Sequence, residues 1–352
     1  MHAGAVSRLT ALPQWADVTT HDKDRQEFLR LAGLATPMAL RVAVTLGLPD
    51  RLSGEGAAVD DLSTELGQSS LALGLLLGHL ATLGVVEATP DGYRTTEYGA
   101  KLRADAGNGL AGLLDMNAAG GRGELAFIEL AHSIATGEAG YDRRYGKDFW
   151  TDLAEQPHLR ETFDRQMTQR YLTQVPRFVS GFDWPRFGSL VDVGGGHGSL
   201  LAAILKANPS MRGHLVDLAP TAAAAERELR AQGLEDRAEV TAGSFFDALP
   251  AGADAYLLSD ILHDWDDEHA HRILARCAEA AGPGGRVLVI EAVGGIGAQT
   301  EWDLVMLVLY GGRERRLDEL RDLAAAHGLV FDTVTTLTEE RSLLEFHRQD
   351  IP

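Results

Sequence analysis

LVDVGGGHGSLLAA, at residues 190–203, is the stretch of sequence that decides the fold. Leu190–Val193 is a short apolar run of the kind that forms a buried parallel strand. The glycines that follow, as far as Gly198, let the chain turn tightly and leave its backbone accessible. From Ser199 onward, apolar residues recur at helical spacing. A strand, a glycine turn and a helix in this order predict a parallel α/β sheet that binds a ligand at the turn.

The spacing of the glycines indicates which ligand the turn can hold. Dinucleotide-binding turns have the pattern G-x-G-x-x-G, but Ser199 occupies the third glycine position here. The chain has instead G-x-G-x-G at Gly194, Gly196 and Gly198, preceded by Asp192. No G-x-x-x-x-G-K-[ST] motif is present, so a phosphate-binding loop is not predicted. The sequence therefore predicts that Gly194 and Gly196 contact a ligand, at a site that is neither a dinucleotide-binding turn nor a phosphate-binding loop. The alternative is a tight turn that binds no ligand.

Composition and charge narrow the class of protein. The formal net charge of −19 at pH 7 repels nucleic acid and anionic membranes, so neither is expected as a partner. A single cysteine, Cys277, excludes an internal disulfide and suits a reducing compartment. No continuous apolar run is long enough to cross a bilayer, and the N-terminus has no signal-peptide pattern. We expect a cytoplasmic enzyme in which residues 1–20 form a loose arm.

The N-terminal part of the chain predicts a helical domain with a partner-binding face. Arg25–Leu46 is so rich in apolar residues that this helix must be buried, in its own subunit or in a second one. Residues 59–99 predict a winged helix, with two short helices and a hairpin that turns at Asp91-Gly92. The second of these helices, within residues 69–84, has no lysine or arginine and only His79 as a potential cation. It lacks the groups that contact DNA, so a structural module is predicted.

Strands and helices alternate from Ser189 onward. Seven strands are predicted, the last two antiparallel, at residues 190–193, 213–217, 237–241, 254–259, 286–291, 329–336 and 342–347. Helices are predicted between them at residues 199–207, 220–232, 267–281, 301–309 and 317–327. Residues 102–180 are expected to be mostly helical, with helices at 110–116, 124–134, 159–167 and 171–178 and a loop at 136–141. The expected fold class is α/β, with a Rossmann-like seven-stranded domain over residues 181–352 and a mainly helical winged-helix dimerisation domain over residues 1–180.

Several motifs together resemble one enzyme family. They are DVGGGHG at 192–198, HDWDDEH at 263–269, VLVIE at 287–291, GGRER at 311–315 and the segment 149–167. The chain resembles the S-adenosylmethionine-dependent O-methyltransferases that include plant caffeic acid and flavonoid enzymes and actinobacterial polyketide-tailoring enzymes. The resemblance covers nearly the whole chain. It implies S-adenosylmethionine as cofactor, a homodimer formed through the N-terminal domain, an aromatic small-molecule acceptor and a role in antibiotic or other secondary metabolism.

Six residues are expected to bind the cofactor, beginning with Gly194 and Gly196 of the turn. Asp217 ends the second predicted strand of the sheet, where a carboxylate can accept both ribose hydroxyls. A cap on the following helix is the alternative role for Asp217. The resemblance adds Ser244 and Phe245 at the adenine and Ser259 at the end of the fourth strand.

Methyl transfer to a hydroxyl group needs a base, and His263 is the candidate. A neutral histidine is a suitable base for a phenol at pH 7. The resemblance implies that Glu291 and Glu314 flank it, and a carboxylate bonded to one imidazole nitrogen would fix the ring. Taken singly, each of these residues has a simpler interpretation. His263 would be a loop histidine at the surface, Glu291 a strand-end glutamate and Glu314 a solvated partner of a neighbouring arginine.

The acceptor site is assigned by resemblance to Met167, Asp264, Asp303 and Met306. Methionines adapt to flat aromatic rings, although core filling explains them equally well. Asp260 stands where plant enzymes often have tryptophan, which indicates a different acceptor. The sequence leaves open whether the accepting atom is a phenolic oxygen, a carboxylate oxygen or a nitrogen.

Two other functions compete with an O-methyltransferase. One is a cofactor-binding relative with different tailoring chemistry, and the other is a winged-helix regulator that senses S-adenosylmethionine. A metal enzyme is not expected, because the spacings of His263, His269 and His271 do not put three ligands on one helical face.

Overall fold

The computed structural model describes residues 20–294 and 300–349, so the arm predicted at residues 1–20 lies outside the described residues except for Thr20. The N-terminal region opens with α1 (Thr20–Ala32), α2 (Ala35–Thr45), α3 (Leu48–Arg51), α4 (Val59–Leu66), α5 (Ser70–Thr82), β1 (Val86–Thr89) and β2 (Gly92–Thr95). The predicted helix Arg25–Leu46 is two helices, interrupted at Gly33-Leu34. Pro37 lies in the first turn of α2, where backbone N–H groups have no acceptor within the helix. A proline there therefore costs no hydrogen bond.

The winged-helix pattern predicted from the sequence is present. Gly67 ends α4 in the left-handed conformation with φ 63°, and the Ser69 hydroxyl caps α5 by accepting from the Ala72 amide at 3.4 Å. The strands β1 and β2 pair antiparallel, with Val86 opposite Thr95. Leucines of α3, α4 and α5 form the buried core of this region.

The apolar side chains of α1 are not buried in their own subunit. Phe28, Leu29 and Leu31 are 72%, 55% and 65% exposed. Among the described residues, Asp22–Thr45 is the one stretch that is long and apolar enough to cross a membrane by length and composition alone. The sequence predicts that the apolar side chains of this segment are buried. Because their own subunit does not bury them, we expect a partner outside the subunit to cover them.

The middle of the chain is helical, with boundaries that differ from the predicted ones. Its helices are α6 (Leu110–Leu114), α7 (Ala119–Glu124), α8 (Leu130–Thr136), α9 (Gly140–Tyr145), α10 (Phe149–Glu155) and α11 (Pro157–Ser180). The helix predicted at 124–134 is divided by a 3₁₀ turn at Leu125–Glu129, and the predicted loop 136–141 ends in α9. The helices predicted at 159–167 and 171–178 are one helix, because no glycine or proline lies between them.

The C-terminal part forms the predicted seven-stranded α/β sheet. Its elements are β3 (Ser189–Val193), α12 (Ser199–Ala207), β4 (Arg212–Asp217), α13 (Ala219–Ala231), β5 (Ala238–Ala242), β6 (Ala255–Ser259), α14 (Asp267–Ala281), β7 (Arg286–Glu291), β8 (Val293–Gly294), α15 (Thr300–Tyr310), β9 (Arg315–Arg316), α16 (Leu317–Ala325), β10 (Leu329–Thr336) and β11 (Ser342–Arg348). The strand order is β10-β11-β7-β6-β3-β4-β5. The five strands from β7 to β5 are parallel, and β10 and β11 are antiparallel as expected.

The sheet is covered on both faces, as its apolar strands require. Val287–Ile290 of β7 are at most 1% exposed. One face packs against α14 and α16, and the other packs against α11, α12 and α13. The helix α15, which follows the predicted domain boundary, belongs to the same apolar cluster as α10 and Tyr141, which precede it. The division of the chain into domains at residues 1–180 and 181–352 therefore stays a prediction.

Candidate active site

A cavity of about 380 Å³ lies at the carboxyl ends of β3 and β6. The chain proceeds from β3 to β4 and β5 on one side and then crosses to β6 and β7 on the other, and ligands bind at such a reversal. The cavity brings together most of the residues predicted for a site: Met167, Gly194, Gly196, Asp217, Ser244, Phe245, Ser259, His263, Asp264 and Met306. Three predicted site residues, Asp303, Glu291 and Glu314, do not line it.

The glycine turn forms one end of the cavity. Gly194, Gly196 and Gly198 have φ of 74°, 58° and 78°, a conformation that other residues rarely adopt. A Cβ atom at Gly194 would lie 2.6 Å from Ile261 Cδ1, so the loop after β6 packs directly on this turn. The turn thus needs glycine for its conformation and for its close packing.

Two carboxyl groups give the turn its chemical character. The Asp217 carboxylate accepts hydrogen bonds from the amides of Gly196, at 2.8 Å, and Leu218, at 2.7 Å. Burial nevertheless raises the pKa of Asp217 to about 6. Burial also raises the pKa of Asp192 to about 7, and its Oδ2 has no hydrogen-bond partner in the part of the chain that the structure describes. Such a site repels phosphate groups and suits a ligand with hydroxyl and ammonium donors, which fits S-adenosylmethionine.

The residues predicted near the adenine lie beside this turn. Phe245 packs against Trp265 with the ring centroids 5.9 Å apart, and the Ser244 hydroxyl accepts from the Phe246 amide at 3.2 Å. Ser259 is bonded at 3.1 Å to the hydroxyl of Tyr171, a residue of α11 that sequence reasoning missed. The sheet and α11 therefore meet across the cavity.

His263 lies in a 3₁₀ turn, Leu262–Asp264, at the carboxyl end of β6. It is 3% exposed, so the interpretation as a surface histidine is wrong. Burial lowers the pKa of His263 to about 4, which makes the imidazole neutral at pH 7. Among the described residues its Nδ1 has no hydrogen-bond partner, and its Nε2 lies 3.4 Å from Asp264 Oδ1. His263 is therefore a buried, unprotonated imidazole at the wall of the cavity.

Glu291 is fully buried at the end of β7, directly behind the histidine. Its Oε1 accepts from the backbone amides of Leu262, at 2.5 Å, and His263, at 3.2 Å. No residue of the described ranges bonds its Oε2, and burial raises the pKa of Glu291 to about 7. The expected hydrogen bond to the imidazole is replaced by bonds to the backbone, because the 3₁₀ turn points its amides at the strand end.

Glu314 is also buried, at 7% exposure, so it is not the solvated partner of a neighbouring arginine. Its amide donates to Asp303 Oδ1 at 3.1 Å, which joins two of the predicted residues. Its Oε2 has no hydrogen-bond partner within residues 20–294 and 300–349, and burial raises the pKa of Glu314 to about 7. Glu314 and Asp303 thus lie behind the cavity wall rather than on it.

Arg315 holds the histidine turn from the other side. Its guanidinium donates to the carbonyls of Leu262, at 2.6 Å, and Trp265, at 2.7 Å, and to Asp267 Oδ1 at 2.9 Å. The side chain is 0% exposed. Sequence reasoning missed this role although Arg315 is in the GGRER motif, because only the fold shows that the motif faces the turn.

The other end of the cavity is walled by aromatic rings. Trp150 stacks on Trp265 and on Tyr310, with centroids 6.1 and 5.4 Å apart. Met167 and Met306 face the same space. This end has the shape and the apolar character to hold a flat ring.

Comparisons with known proteins agree with this geometry. A family model described as an O-methyltransferase domain matches residues 127–330, and one described as an O-methyltransferase dimerisation domain matches residues 29–105. The chain is 48% identical over 302 residues to the 2,7-dihydroxy-5-methyl-1-naphthoate 7-O-methyltransferase of Streptomyces carzinostaticus, an alignment that covers 85% of this chain and 91% of that protein.

Two further relatives are a hydroxylase and an O-methyltransferase of known structure. The aclacinomycin 10-hydroxylase RdmB of Streptomyces purpurascens is 39% identical over 340 residues, which cover 92% of this chain and 91% of that one. The O-methyltransferase NcsB1 from neocarzinostatin biosynthesis, solved with S-adenosylmethionine and 2-hydroxy-5-methyl naphthoic acid, has a TM-score of 0.85 and 46% identity, covering 90% of this chain and 97% of that one. The resemblance found in the sequence is confirmed: this chain belongs to the O-methyltransferase family, with the methyltransferase domain preceded by the family's dimerisation domain.

Proposed function

We propose that this enzyme transfers a methyl group from S-adenosylmethionine to a hydroxyl group, in particular a phenolic one, of an aromatic or polyketide-derived natural product. The observation that carries the proposal is a buried, neutral His263 on the wall of a cavity that has the glycine turn at one end and aromatic rings at the other. The naphthoate substrate named for the Streptomyces relative supports an aromatic acceptor. A cytoplasmic location and a role in an actinobacterial antibiotic pathway belong to the same proposal.

The residues around the glycine turn would hold the cofactor. Asp217 would accept the ribose hydroxyls, and the free Oδ2 of Asp192 would accept a donor of the amino-acid end. Gly194 and Gly196 would contact it through their backbone, with Ser244, Phe245 and Ser259 around the adenine. S-adenosylmethionine supplies a methyl group on a sulfonium, which is already activated for displacement. The protein therefore needs no metal ion and must supply alignment and a base.

His263 would take the proton of the acceptor hydroxyl as the methyl group is transferred. Its neutral state at pH 7 leaves a nitrogen lone pair free. Glu291 would hold the turn that carries His263 through two backbone amides. The ionised forms of Glu291 and Glu314, whose pKa values burial raises to about 7, would stabilise the imidazolium that forms.

The acceptor ring would lie between Met167 and Met306, at the aromatic end of the cavity. Asp264 lies beside the base, and burial raises its pKa well above the usual range. A protonated Asp264 would donate a hydrogen bond to an oxygen of the acceptor. Asp303, which does not line the cavity, would position Glu314 by accepting a hydrogen bond from its backbone amide.

The test is to incubate the purified enzyme and S-adenosylmethionine with a panel of hydroxylated aromatics and to measure product mass and methyl position. A gain of about 14 mass units on oxygen is expected. A gain of about 16 mass units would favour the second candidate, hydroxylation, which the hydroxylase among the relatives suggests. Absence of any product together with tight binding of duplex DNA would favour the regulator, although exposed Leu71 and Leu75 make α5 an apolar rather than a cationic surface.

A homodimer is proposed from the apolar side of α1 and the dimerisation-domain match. We expect light scattering after gel filtration to give about twice the subunit mass of 37.8 kDa without detergent. The double substitution of Phe28 and Leu31 with glutamate should shift the protein towards monomer, because it puts charge into the apolar contact. Gln26→Glu, at an exposed polar position of the same helix, is the matched control. A detergent-free monomer of the unmodified enzyme would contradict the dimer.

A further inference from the structure

Arg170 is a cavity-lining cation that the proposed chemistry does not use. Within the described residues its guanidinium makes no hydrogen bond and no ion pair, and its side-chain contact is with Trp302, with the guanidinium carbon 4.9 Å from the ring centroid. Arg170 follows Phe163 and Met167 on α11 at spacings of seven and three residues, so the three share one helix face. That face lines the aromatic end of the cavity.

The nearby carboxyl groups already have other partners. The Asp260 carboxylate is bound by Arg341, at 2.8 Å, and by the Tyr171 hydroxyl, at 3.0 Å. It is held in this arrangement by a left-handed backbone with φ 53°. Burial raises the pKa of Asp264 well above its ordinary value, which disfavours the charged form of this carboxyl group. Neither group neutralises Arg170 by direct contact.

The charge of Arg170 helps to lower the pKa of Asp260, but its guanidinium makes no direct ion pair within the described residues, so its N–H donors are left for a further anion. Desolvating a charge is unfavourable unless a partner is present, and the planar fork of arginine matches a carboxylate. We propose that Arg170 binds a carboxylate of the methyl acceptor, so that the enzyme takes hydroxyarene carboxylic acids. This inference rests on the proposed function, because it names the class of acceptor for the same site.

The position of Arg170 also limits where the carboxylate lies relative to the hydroxyl group. Arg170 and His263 line the same cavity of about 380 Å³, and the charge of Arg170 adds to the effect of burial in lowering the pKa of His263. An acceptor held by both Arg170 and His263 therefore has its acid and its hydroxyl on the same ring or on fused rings.

The test measures binding to the enzyme loaded with S-adenosylhomocysteine, by calorimetry. The probes are salicylic acid, 1-hydroxy-2-naphthoic acid and 3-hydroxy-2-naphthoic acid, each paired with its methyl ester. The enzyme should bind at least one acid about 30-fold or more tightly than its ester, as expected for a charge pair in a cavity. Arg170→Gln should abolish this preference and leave the affinity for the ester unchanged. Arg165→Gln, on the same helix but exposed and paired with Glu161, should keep the preference.

Three results would overturn the inference. The first is that no acid in the panel binds more tightly than its ester. The second is that Arg170→Gln lowers the affinity for acid and ester equally. The third is that Arg170→Gln lowers the affinity for S-adenosylhomocysteine itself, which would make the cofactor carboxylate the partner of Arg170. Binding and turnover also separate the two proposals. An acid preference that depends on Arg170, without methyl transfer to any probe, would support this site and count against the proposed reaction.

Discussion

Replacing His263 with glutamine is expected to lower the turnover number by about 10²- to 10⁴-fold, the usual contribution of a general base. Glutamine is similar in size but cannot take up a proton at neutral pH. The affinity for S-adenosylhomocysteine should not change, because the imidazole lies beside the cofactor end of the cavity rather than in the glycine turn. Single-turnover methyl transfer and calorimetry measure the two quantities separately.

The same variant tests whether the histidine is neutral in the folded enzyme. Burial lowers the pKa of His263 from about 6.5 to about 4. Its contribution to stability is present above pH 6.5 and is lost as the pH falls through 4, because only the unfolded chain binds the proton in between. The free energy of unfolding of the natural enzyme should therefore fall by up to about 3 kcal/mol relative to His263→Gln between pH 7 and pH 4.

His271→Gln is the matched control for the histidine substitution. His271 is on α14 and is bonded to His327 at 3.0 Å, outside the cavity. Its turnover should match that of the natural enzyme. Undiminished methyl transfer by His263→Gln would refute the base assignment.

Substituting Arg315 with methionine is the second change with a large expected effect. Two carbonyls of the histidine turn would lose charged donors, at about 1.5–3 kcal/mol each, so a loss of stability of about 3 kcal/mol or more is expected. The turn would also lose its fixed position, and a displacement of about 1 Å can lower the rate about 100-fold. We therefore expect a turnover number reduced by one to two orders of magnitude, with little change in cofactor affinity.

A double-mutant cycle distinguishes positioning from general damage. If Arg315 acts by placing His263, Arg315→Met should lower methyl transfer much less in the His263→Gln background than in the natural enzyme. Arg313→Met is the control, because Arg313 is two residues away and is bonded to Glu319 at 2.8 Å on the surface. Fully additive losses would mean that Arg315 does not act through the histidine.

The sequence was sufficient to predict the parts of the site that depend on short-range patterns. The strand, glycine turn and helix around Gly194–Gly198 are local, and β-branched and glycine residues specify them directly. Asp217 could be placed because it ends a recognisable strand. The family resemblance supplied Ser244 and His263, which no local spacing would have selected.

The remaining features depend on contacts between distant segments. Arg315 reaches the histidine turn across more than 50 residues of sequence, and Asp260 is bound by Arg341 across 81. Glu291 bonds the backbone of the turn instead of the imidazole, because the distance between two strand ends is set by the whole sheet. Sequence periodicity also could not show that α11 is a single helix that faces the cavity.

The aromatic stack of Trp150, Trp265 and Tyr310 has a consequence for how this enzyme can change during evolution. All three rings wall the acceptor site, and Trp150 and Tyr310 also belong to the apolar cluster that holds α10 and α15 together. Substitutions that reshape the wall therefore also loosen the subunit, at about 3–5 kcal/mol for a deleted aromatic side chain. New acceptors are more accessible through residues that face the cavity without supporting the cluster. Arg170 is such a residue, and laboratory evolution of acceptor range would do best to begin there.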